Sequence, residues 1–187
     1  MLPNLGRIFN RLFQLLFFLI IIDKLEFITA NQKGRMSMLH LKAITKDNWI
    51  DAIKLKVSED QNHFVATNAV SLAQLNFLEN FYAFGVYYEE TMVGFTLFGL
   101  DDEDQQYWIY RLMIDEKYQG KGYGKEAINL IIKTIQSMKA PQHQVIHISY
   151  EQENTVARSV YQKAGFTEIE GLFIGSEQVA RYEFAEK

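Results

Sequence analysis

The chain has no cysteine among its 187 residues and only two prolines. Without cysteine it cannot form a disulfide bond, present a thiolate nucleophile or build a cysteine-ligated zinc site. Its four histidines are scattered and show no metal-ligand spacing such as H-E-x-x-H, so we expect no metal. A cytoplasmic location is compatible with the lack of disulfides and is our expectation.

Basic residues are too few to indicate an anionic partner. The formal net charge is -4 at pH 7, the pI is near 5.6, and no cluster of lysines and arginines forms a basic patch. We therefore expect no nucleic acid partner and no general attraction to an anionic membrane. With 48% hydrophobic residues, the chain is long enough to bury the core of one domain. The sequence leaves both a monomer and a homodimer open as oligomeric states.

One apolar run stands apart from this composition. Residues 12–22 read L-F-Q-L-L-F-F-L-I-I-I, which is shorter than the ~18 residues expected of a membrane-spanning helix. The run is consistent with an interfacial anchor, a helix packed on the domain, or upstream sequence translated from a start codon set too early. We favour the last interpretation, because Met36 and Met38 directly precede the first pattern typical of a folded domain. We expect residues 1–35 to lie outside a domain spanning residues 36–187, and a membrane partner only if the run is native.

A glycine-rich stretch follows a strand-like run in the second half of the chain. Residues 111–125 read R-L-M-I-D-E-K-Y-Q-G-K-G-Y-G-K, and these glycines can turn tightly and point successive backbone N–H groups outward. Apolar residues then follow at helical spacing, namely Ile128, Ile131, Ile132 and Ile135. A helix N-terminus with Lys121 and Lys125 beside it therefore faces the loop, which suits a di- or polyphosphate.

The loop also fits a plain tight turn between a strand and a helix. It is not a Walker A motif, because no Lys-Ser or Lys-Thr pair follows the last glycine. It also lacks the G-x-G-x-x-G pattern of a Rossmann fold. A Mg-nucleotide or a dinucleotide is therefore not the expected ligand.

Hydrophobic periodicity predicts an alternation of strands and helices. Strands are predicted at residues 39–44, 81–88, 92–100, 106–114, 145–150, 167–173 and 178–184. Helices are predicted at residues 49–58, 71–80, 125–137 and 154–164, with Thr45 or Asp47, Ser71 and Asn154 as candidate N-caps. Short turns make the strands between residues 81 and 114 antiparallel neighbours, whereas strand 145–150 follows a helix and should run parallel to strand 106–114.

Two motifs at this separation resemble those of the GNAT superfamily of N-acetyltransferases. Residues 119–124, Q-G-K-G-Y-G, match its Q/R-x-x-G-x-G/A, and residues 153–166 match its E-N-x-x-A-x-x-x-Y-x-K-x-G-F. Residues 56–74 also look like the corresponding segment of bacterial spermine/spermidine N-acetyltransferases. The resemblance covers residues 38–186 and implies an α/β (α+β) fold. This is the acyl-CoA N-acyltransferase fold, whose mixed, mostly antiparallel central sheet is flanked by helices and splayed at the acetyl-CoA site.

The resemblance implies acetyl-CoA as co-substrate and assigns residues to it. The backbone of Leu112, Met113 and Ile114 would pair with the pantetheine arm, and the N–H of Met113 would donate to the thioester oxygen. The pyrophosphate would lie on Gln119, Gly120, Lys121, Gly122, Tyr123, Gly124 and Lys125. The second motif would add Asn154, Tyr161 and Lys163, with Asn154 either capping its helix or binding the pantetheine arm.

Acetyl transfer to an amine also requires proton donors and acceptors. Tyr161 is the candidate general acid, because a phenol with a pKa of ~10 stays protonated at neutral pH and can donate to the leaving sulfur. The spacing alone equally fits a core tyrosine. The general base is not identifiable from the sequence, and the candidates are His147, Glu151, Glu153 and Glu59.

The acceptor is expected to be a small-molecule amine. Glu59 and Asp60 would attract a polycation, while Phe64 and Trp108 would pack on its methylenes or ammonium groups. The acidic turn at residues 101–104 is predicted to be merely solvated. The resemblance favours acetylation of a primary amine of spermidine or spermine by direct attack in a ternary complex. The alternatives are an aminoglycoside, an amino acid or a protein amine as acceptor, or a noncatalytic acyl-CoA-binding module.

Overall fold

Seven strands form one sheet in the computed structural model, which describes residues 39–185. The strands are β1 (Leu39–Ala43), β2 (Phe81–Tyr88), β3 (Thr91–Leu100), β4 (Tyr107–Ile114), β5 (Val145–Glu151), β6 (Thr167–Ile174) and β7 (Glu177–Glu183). The helices of this part of the chain are α1 (Trp49–Lys54), α2 (Asn68–Gln74), α3 (Tyr123–Met138) and α4 (Thr155–Lys163), with 3₁₀-helices at Glu59–Gln61 and Glu116–Tyr118. None of the helices described is both long and apolar enough to cross a membrane. The predictions for residues 1–35 lie outside the described residues.

The strands run in the order β1-β2-β3-β4-β5-β7-β6. Neighbouring strands are antiparallel, except that β4 and β5 are parallel. Helix α3 lies in the connection between those two strands, because parallel neighbours cannot be joined by a tight turn. The predicted mixed, mostly antiparallel sheet flanked by helices is confirmed.

Helix α3 packs its isoleucine stripe against the sheet. Ile128, Ile131 and Ile135 have no exposed surface, and the helix contacts β1 and β4. A second apolar cluster joins Ala52 of α1 to residues of β2, β3 and β4. Helical layers therefore cover both faces of the central strands, and β3 is buried along almost its whole length.

Helix α1 is shorter than predicted and has a different N-cap. It ends at Lys54 rather than at residue 58, and its N-cap is Asn48 rather than Thr45 or Asp47. The Asn48 side chain does not bond the helix; its Oδ1 accepts from the N–H of Thr45 at 2.7 Å. Several polar residues compete for local backbone groups in this stretch, so the pattern does not determine which one becomes the cap.

Helix α2 begins and ends earlier than predicted. Thr67 is its N-cap and accepts a hydrogen bond from the N–H of Val70 at 3.4 Å. Ser71, the predicted cap, is instead buried inside the helix. The helix ends at Gln74, and Phe77 beyond it is 87% exposed. The leucines near residue 75 imitate a helical period beyond the end of the helix.

Strands β4 and β5 pair only at their beginnings. Tyr107, Trp108 and Ile109 align with Ile146, His147 and Ile148, and no pairing follows, although both strands continue. The divergence follows a bulge, because Leu97 of β3 opposes Arg111 while the next residue of β3 opposes Ile109. Tyr110 is therefore an extra residue of β4. The predicted splay of the strands is confirmed.

Candidate active site

A cavity of about 870 Å³ lies where β4 and β5 diverge. Its wall includes the ends of both strands, the glycine loop with the first turn of α3, and one side of α4. Residues 61–66, which begin with the last residue of the first 3₁₀-helix, line it as well. A concave site with apolar walls and a few polar groups is the usual form of a small-molecule site.

The glycine loop leaves the N-terminus of α3 open to this cavity. Gly120 and Gly122 have φ angles of 75° and 85°, in the left-handed region that favours glycine. A Cβ at either position would meet no atom within 4 Å, and one at Gly124 would meet only Ile114 Cγ1, at 4.0 Å. Gly122 is the N-cap and has no side-chain cap, so the first N–H groups of α3 have open space before them. The loop fits a pyrophosphate, and Lys125 lines the same wall.

Two side chains hold the loop against its surroundings. Asp115 is 5% exposed, and its carboxylate accepts a hydrogen bond from the N–H of Lys56 at 3.1 Å. The side-chain amide of Gln119 donates to the carbonyl of Ile114 at 3.0 Å and to Gln61 Oε1 at 2.8 Å. Gln119 thus connects the glycine loop to the segment that borders the other half of the cavity.

The main-chain groups of β4 alternate between β3 and the cavity. The N–H of Asp115 donates to the carbonyl of Val93 in β3 at 2.9 Å, whereas the carbonyl of Ile114 accepts from a side chain of the glycine loop. Because successive residues of a strand direct these groups to opposite sides, Met113 faces β3 and Leu112 points outward like Ile114. The prediction that Met113 offers a free N–H is therefore corrected. Leu112 has that orientation instead.

Tyr161 of α4 is one of the residues that line the cavity. Its side chain is 7% exposed, with the rings of Tyr150 and Phe166 at 5.4 and 6.0 Å. Its hydroxyl has no hydrogen-bond partner among residues 39–185. Burial, and secondarily the charge of Glu177, raises the pKa of Tyr161. The phenol therefore stays protonated at neutral pH and is available as a donor.

The residues predicted to hold the cofactor divide into two groups. Those that line the cavity are Leu112, Met113, Ile114, Gln119, Gly120, Gly122, Tyr123, Gly124, Lys125, Asn154 and Tyr161. Asn154 also caps α4, since its Oδ1 accepts from the N–H of Ala157 at 3.0 Å. Lys121 and Lys163 do not line it: Lys121 Nζ lies 5.3 Å from the ring centre of Tyr118, and Lys163 is exposed at the end of α4.

Of the four residues predicted to bind the acceptor, Phe64 alone lines the cavity. Glu59 and Asp60 are exposed on the 3₁₀-helix. Trp108 is turned toward Asp104, to whose Oδ2 its Nε1 donates at 2.8 Å. The 3₁₀-helix thus leaves Glu59 and Asp60 outside the cavity wall, and Trp108 lies in the part of β4 that still pairs with β5, before the strands diverge. A role of these three residues in binding the acceptor stays a prediction.

The acidic turn at residues 101–104 is more than a solvated connection, contrary to prediction. Asp101 Oδ2 accepts a hydrogen bond from the Tyr110 hydroxyl at 2.7 Å. Asp104 bonds Trp108 and also lies 3.5 Å from Nδ1 of His147. Burial lowers the pKa of His147 more than this carboxylate raises it. The turn thus fixes aromatic side chains beside the cavity, and His147 is neutral at pH 7.

None of the four candidate bases, His147, Glu151, Glu153 and Glu59, lines the cavity. Within residues 39–185, Glu177 at the start of β7 is the one carboxylate in its wall. Ser149 Oγ of β5 donates to Glu177 Oε2. No motif or local spacing marks Glu177, so the sequence alone did not reveal it. The same part of the chain contains no group of three or more His, Asp and Glu side chains that could hold a metal ion.

Arg111 is a second charged residue that lines the cavity and that the sequence did not reveal. Its Nη1 donates to the carbonyl of Tyr110 at 2.6 Å, and its Nη2 lies 3.5 Å from Gln74 Oε1. Its Nε is buried without a partner in the described region. Burial lowers the pKa of Arg111, and the charge of Glu177 opposes that shift. Arg111 and Glu177 therefore lie within electrostatic reach of each other.

Comparison with known proteins identifies this architecture. Residues 49–166 match the model of the acetyltransferase (GNAT) family. The curated spermine/spermidine N(1)-acetyltransferase of Bacillus subtilis (strain 168) is 31% identical over 134 residues, which cover 68% of this chain and 87% of the relative.

Solved structures share the fold at lower sequence identity. The spermidine N-acetyltransferase from Vibrio cholerae in complex with CoA and spermine has a TM-score of 0.59 and 17% identity over 78% of this chain and 94% of its own. An aminoglycoside acetyltransferase in complex with coenzyme A has a TM-score of 0.64 and 13% identity, with the same coverage of 78% and 94%. With the family match, the splayed sheet and the open glycine loop, these findings show that the chain belongs to the GNAT acetyltransferase family and is an N-acetyltransferase that uses acetyl-CoA.

Proposed function

We propose that the protein acetylates a primary amine of a small polyamine, such as spermidine or spermine, by direct attack in a ternary complex. The observation that carries the proposal is the continuity of one cavity, which extends from the glycine loop past Tyr161 to Glu177. Such a cavity can hold two molecules at once: the donor, with its phosphate groups at the glycine loop, and the acceptor amine at the other end. The name of the Bacillus subtilis relative supports a polyamine as the acceptor.

The donor half of the proposed site uses main-chain groups. When bound, acetyl-CoA supplies an acetyl group activated as a thioester. The first N–H groups of α3 and the side chain of Lys125 would hold the pyrophosphate. Leu112 and Ile114, whose main-chain groups point into the gap, would hold the pantetheine arm. The N–H of Leu112 takes the place of Met113 as donor to the thioester oxygen, where negative charge develops.

Tyr161 is the proposed donor of the proton that the leaving sulfur requires. Tyr161 is a buried residue in the cavity wall, and its hydroxyl has no partner in the described part of the chain. Because burial raises its pKa, it keeps its proton until a strongly basic group develops beside it. General acid assistance of this kind is worth about 10²- to 10⁴-fold in rate.

The acceptor half of the cavity contains rings and one carboxylate. Phe64 and Tyr110 line it together with Glu177. Aromatic faces attract alkylammonium groups within ~6 Å and also pack on methylenes, so a polyamine suits this wall. Arg111, with its unpaired Nε, favours a second candidate, an acceptor that carries a carboxylate, such as an amino acid.

A thiol-release assay over a panel of amines tests the proposal. The panel contains spermine, spermidine, putrescine, kanamycin, lysine and glycine, each with saturating acetyl-CoA. We expect kcat/KM for spermine or spermidine to exceed that for every other amine by at least about tenfold, which is 1.4 kcal/mol of preference. A higher value for lysine or glycine would favour the carboxylate-bearing acceptor, and a higher value for kanamycin would favour an aminoglycoside.

A further inference from the structure

The site described so far has a candidate proton donor but no proton acceptor, and Glu177 is placed to fill that role. It is the first residue of β7, lies opposite Glu151 of β5 and Ile174 of β6, and its half-buried side chain lines the cavity. Tyr161 and the outward-facing main chain of β4 line the same cavity. Proton donors are therefore present, whereas acetylation of an ammonium group also requires a proton acceptor.

Ser149 holds the carboxylate in a defined orientation. Its hydroxyl donates to Oε2 of Glu177, and Ser149 lines the cavity too. Among residues 39–185, Oε1 of Glu177 has no hydrogen-bond partner. One carboxylate oxygen is thus held by the protein, and the other is available to a ligand.

Ionisable groups on three neighbouring elements lie near Glu177. Arg111 of β4 and Tyr161 of α4 both respond to its charge: it opposes the lowering of the Arg111 pKa by burial, and it adds to the raising of the Tyr161 pKa by burial. Glu151 of β5 lies opposite it in register, but Oε1 of Glu151 accepts a hydrogen bond from Ser176 at 2.8 Å. Glu177 therefore shares the cavity with a cation, Arg111, and with the candidate acid, Tyr161.

Other acceptors of a proton are less well placed. His147 and Glu59 lie outside the cavity wall, as do Glu151 and Glu153. His63 does line the cavity, but it is exposed, and its ring lies 3.9 Å from the ring of Phe64. Glu177 is the carboxylate that shares the cavity with Tyr161.

We propose that Glu177 accepts the proton that the acceptor ammonium group must lose before it attacks, and that Ser149 positions the Glu177 carboxylate. This inference rests on the proposed amine acetylation but not on the identity of the amine. The free lone pair of the nitrogen forms the C–N bond, and the C–S bond breaks with its electron pair on sulfur.

The protons balance between the two residues. An ammonium group carries three N–H protons, and the amide product keeps one. The first proton released passes to Glu177 and then to solvent. The second replaces the proton that Tyr161 gives to sulfur, so that both side chains return to their starting states. No further reactant is needed.

The test compares Glu177→Gln with the parent over pH 6 to 10, using the best amine of the panel. Glutamine keeps the shape and can still accept from Ser149, but it cannot take a proton at these pH values. We expect kcat/KM at pH 7 to fall by about 10²-fold or more. The deficit should shrink as the pH approaches the amine pKa of ~10, because solvent then supplies neutral amine. Calorimetric affinity for acetyl-CoA and the melting temperature should match the parent.

Three further variants separate the alternatives. Glu151→Gln removes a carboxylate from the adjacent strand and should leave the pH profile unchanged. Glu177→Asp keeps a carboxylate that is one methylene shorter and should lose less activity than Glu177→Gln; this variant also serves if the glutamine variant does not fold. Ser149→Ala should lower kcat less than Glu177→Gln while keeping the parental pH profile.

Two results would overturn the inference. One is a Glu177→Gln profile parallel to that of the parent at every pH, and the other is a His63→Gln variant that shows the high-pH recovery instead. Failure of the proposed polyamine specificity appears separately, as a parent enzyme that prefers another amine of the panel. The pH comparison is then made with that amine.

Discussion

At the scale of single residues, Tyr161 packs through its ring, whereas its hydroxyl is free for chemistry. The ring is buried against Tyr150 and Phe166, while the hydroxyl makes no hydrogen bond within the described residues. Tyr150 is the opposite case, because its hydroxyl donates to Glu168 Oε1 at 2.8 Å. The two tyrosines therefore form a matched pair.

Tyr161→Phe should reduce kcat by about 10²-fold, because general acid assistance to the leaving sulfur is lost. Its melting temperature and affinity for acetyl-CoA should stay close to the parent, since no hydrogen bond is removed. Steady-state kinetics, thermal unfolding and calorimetry on one preparation measure these quantities. A destabilised variant with parental turnover would rule out the acid role.

Tyr150→Phe is the control for that substitution. It deletes a hydroxyl that is bonded to a carboxylate, so it should lower the free energy of unfolding by about 1–3 kcal/mol. Turnover of the folded fraction should change much less than in Tyr161→Phe. The pair thus separates loss of a hydrogen bond from loss of a proton donor.

At the scale of elements, the junction of the glycine loop with α3 determines how the donor is held. Gly122 has φ of 85°, so a side chain there would strain the backbone in addition to blocking the ligand. Gly124 already lies within the helix, and a Cβ there would be 4.0 Å from Ile114 Cγ1. Substitutions at Gly124 therefore test the phosphate site without backbone strain.

Gly124→Asp should weaken acetyl-CoA binding at least about tenfold, because a carboxylate would face the pyrophosphate at a few ångströms. The fold should be unharmed or slightly stabilised, since an acidic residue in the first turn of a helix contributes about 0.3–1 kcal/mol. Calorimetric titration and thermal unfolding measure both effects. Gly124→Asn has nearly the same shape without the charge and should bind acetyl-CoA more tightly than the aspartate variant. Equal affinity of the parent and the aspartate variant would remove the loop from the donor site.

At the scale of the whole molecule, residues 37–187 form a compact unit of their own. Strand β1 pairs with β2 from its first residue, Leu39 opposite Tyr88. The sheet therefore begins within this unit. Whether residues 1–35 belong to the native protein stays a prediction that N-terminal sequencing can test.

A chain that starts at Met36 should fold and bind acetyl-CoA as the longer chain does. Ligand at about 100 times its Kd stabilises the folded state by about 2.7 kcal/mol, which corresponds to a rise of roughly 5–10 °C in Tm for a domain of this size. Thermal unfolding with and without acetyl-CoA measures the rise. A shortened chain that is insoluble or shows no rise would assign the N-terminal residues to the domain.

Much of the architecture followed from local patterns. Alternating and continuous apolar runs predicted the seven strands of residues 39–185, and the stripe from Ile128 to Ile135 predicted α3, because a side chain's period is set by backbone geometry alone. The glycine loop and the second motif were recognisable for a similar reason. Each consists of neighbouring residues whose spacing is itself the functional requirement.

The N-caps of α1 and α2 were also predicted from local patterns, and these predictions were wrong. Thr67 and Ser71 are both acceptable caps by residue type, and the choice between them depends on which residue the core buries. Ser71 has no exposed surface. Tertiary packing therefore decided a boundary that composition left open.

The sequence by itself determined the family, the donor loop and the candidate acid, because contiguous motifs carry them. Only the tertiary structure decided which side chains meet across the splayed strands. It brought Glu177, Ser149 and Arg111 from three strands to one cavity and left Glu59, Asp60 and Trp108 outside its wall. It also turned the N–H of Met113 toward β3 and that of Leu112 toward the gap. The physical reason is that strand register and the bulge at Tyr110 determine these directions, and both depend on partners that are distant in the chain.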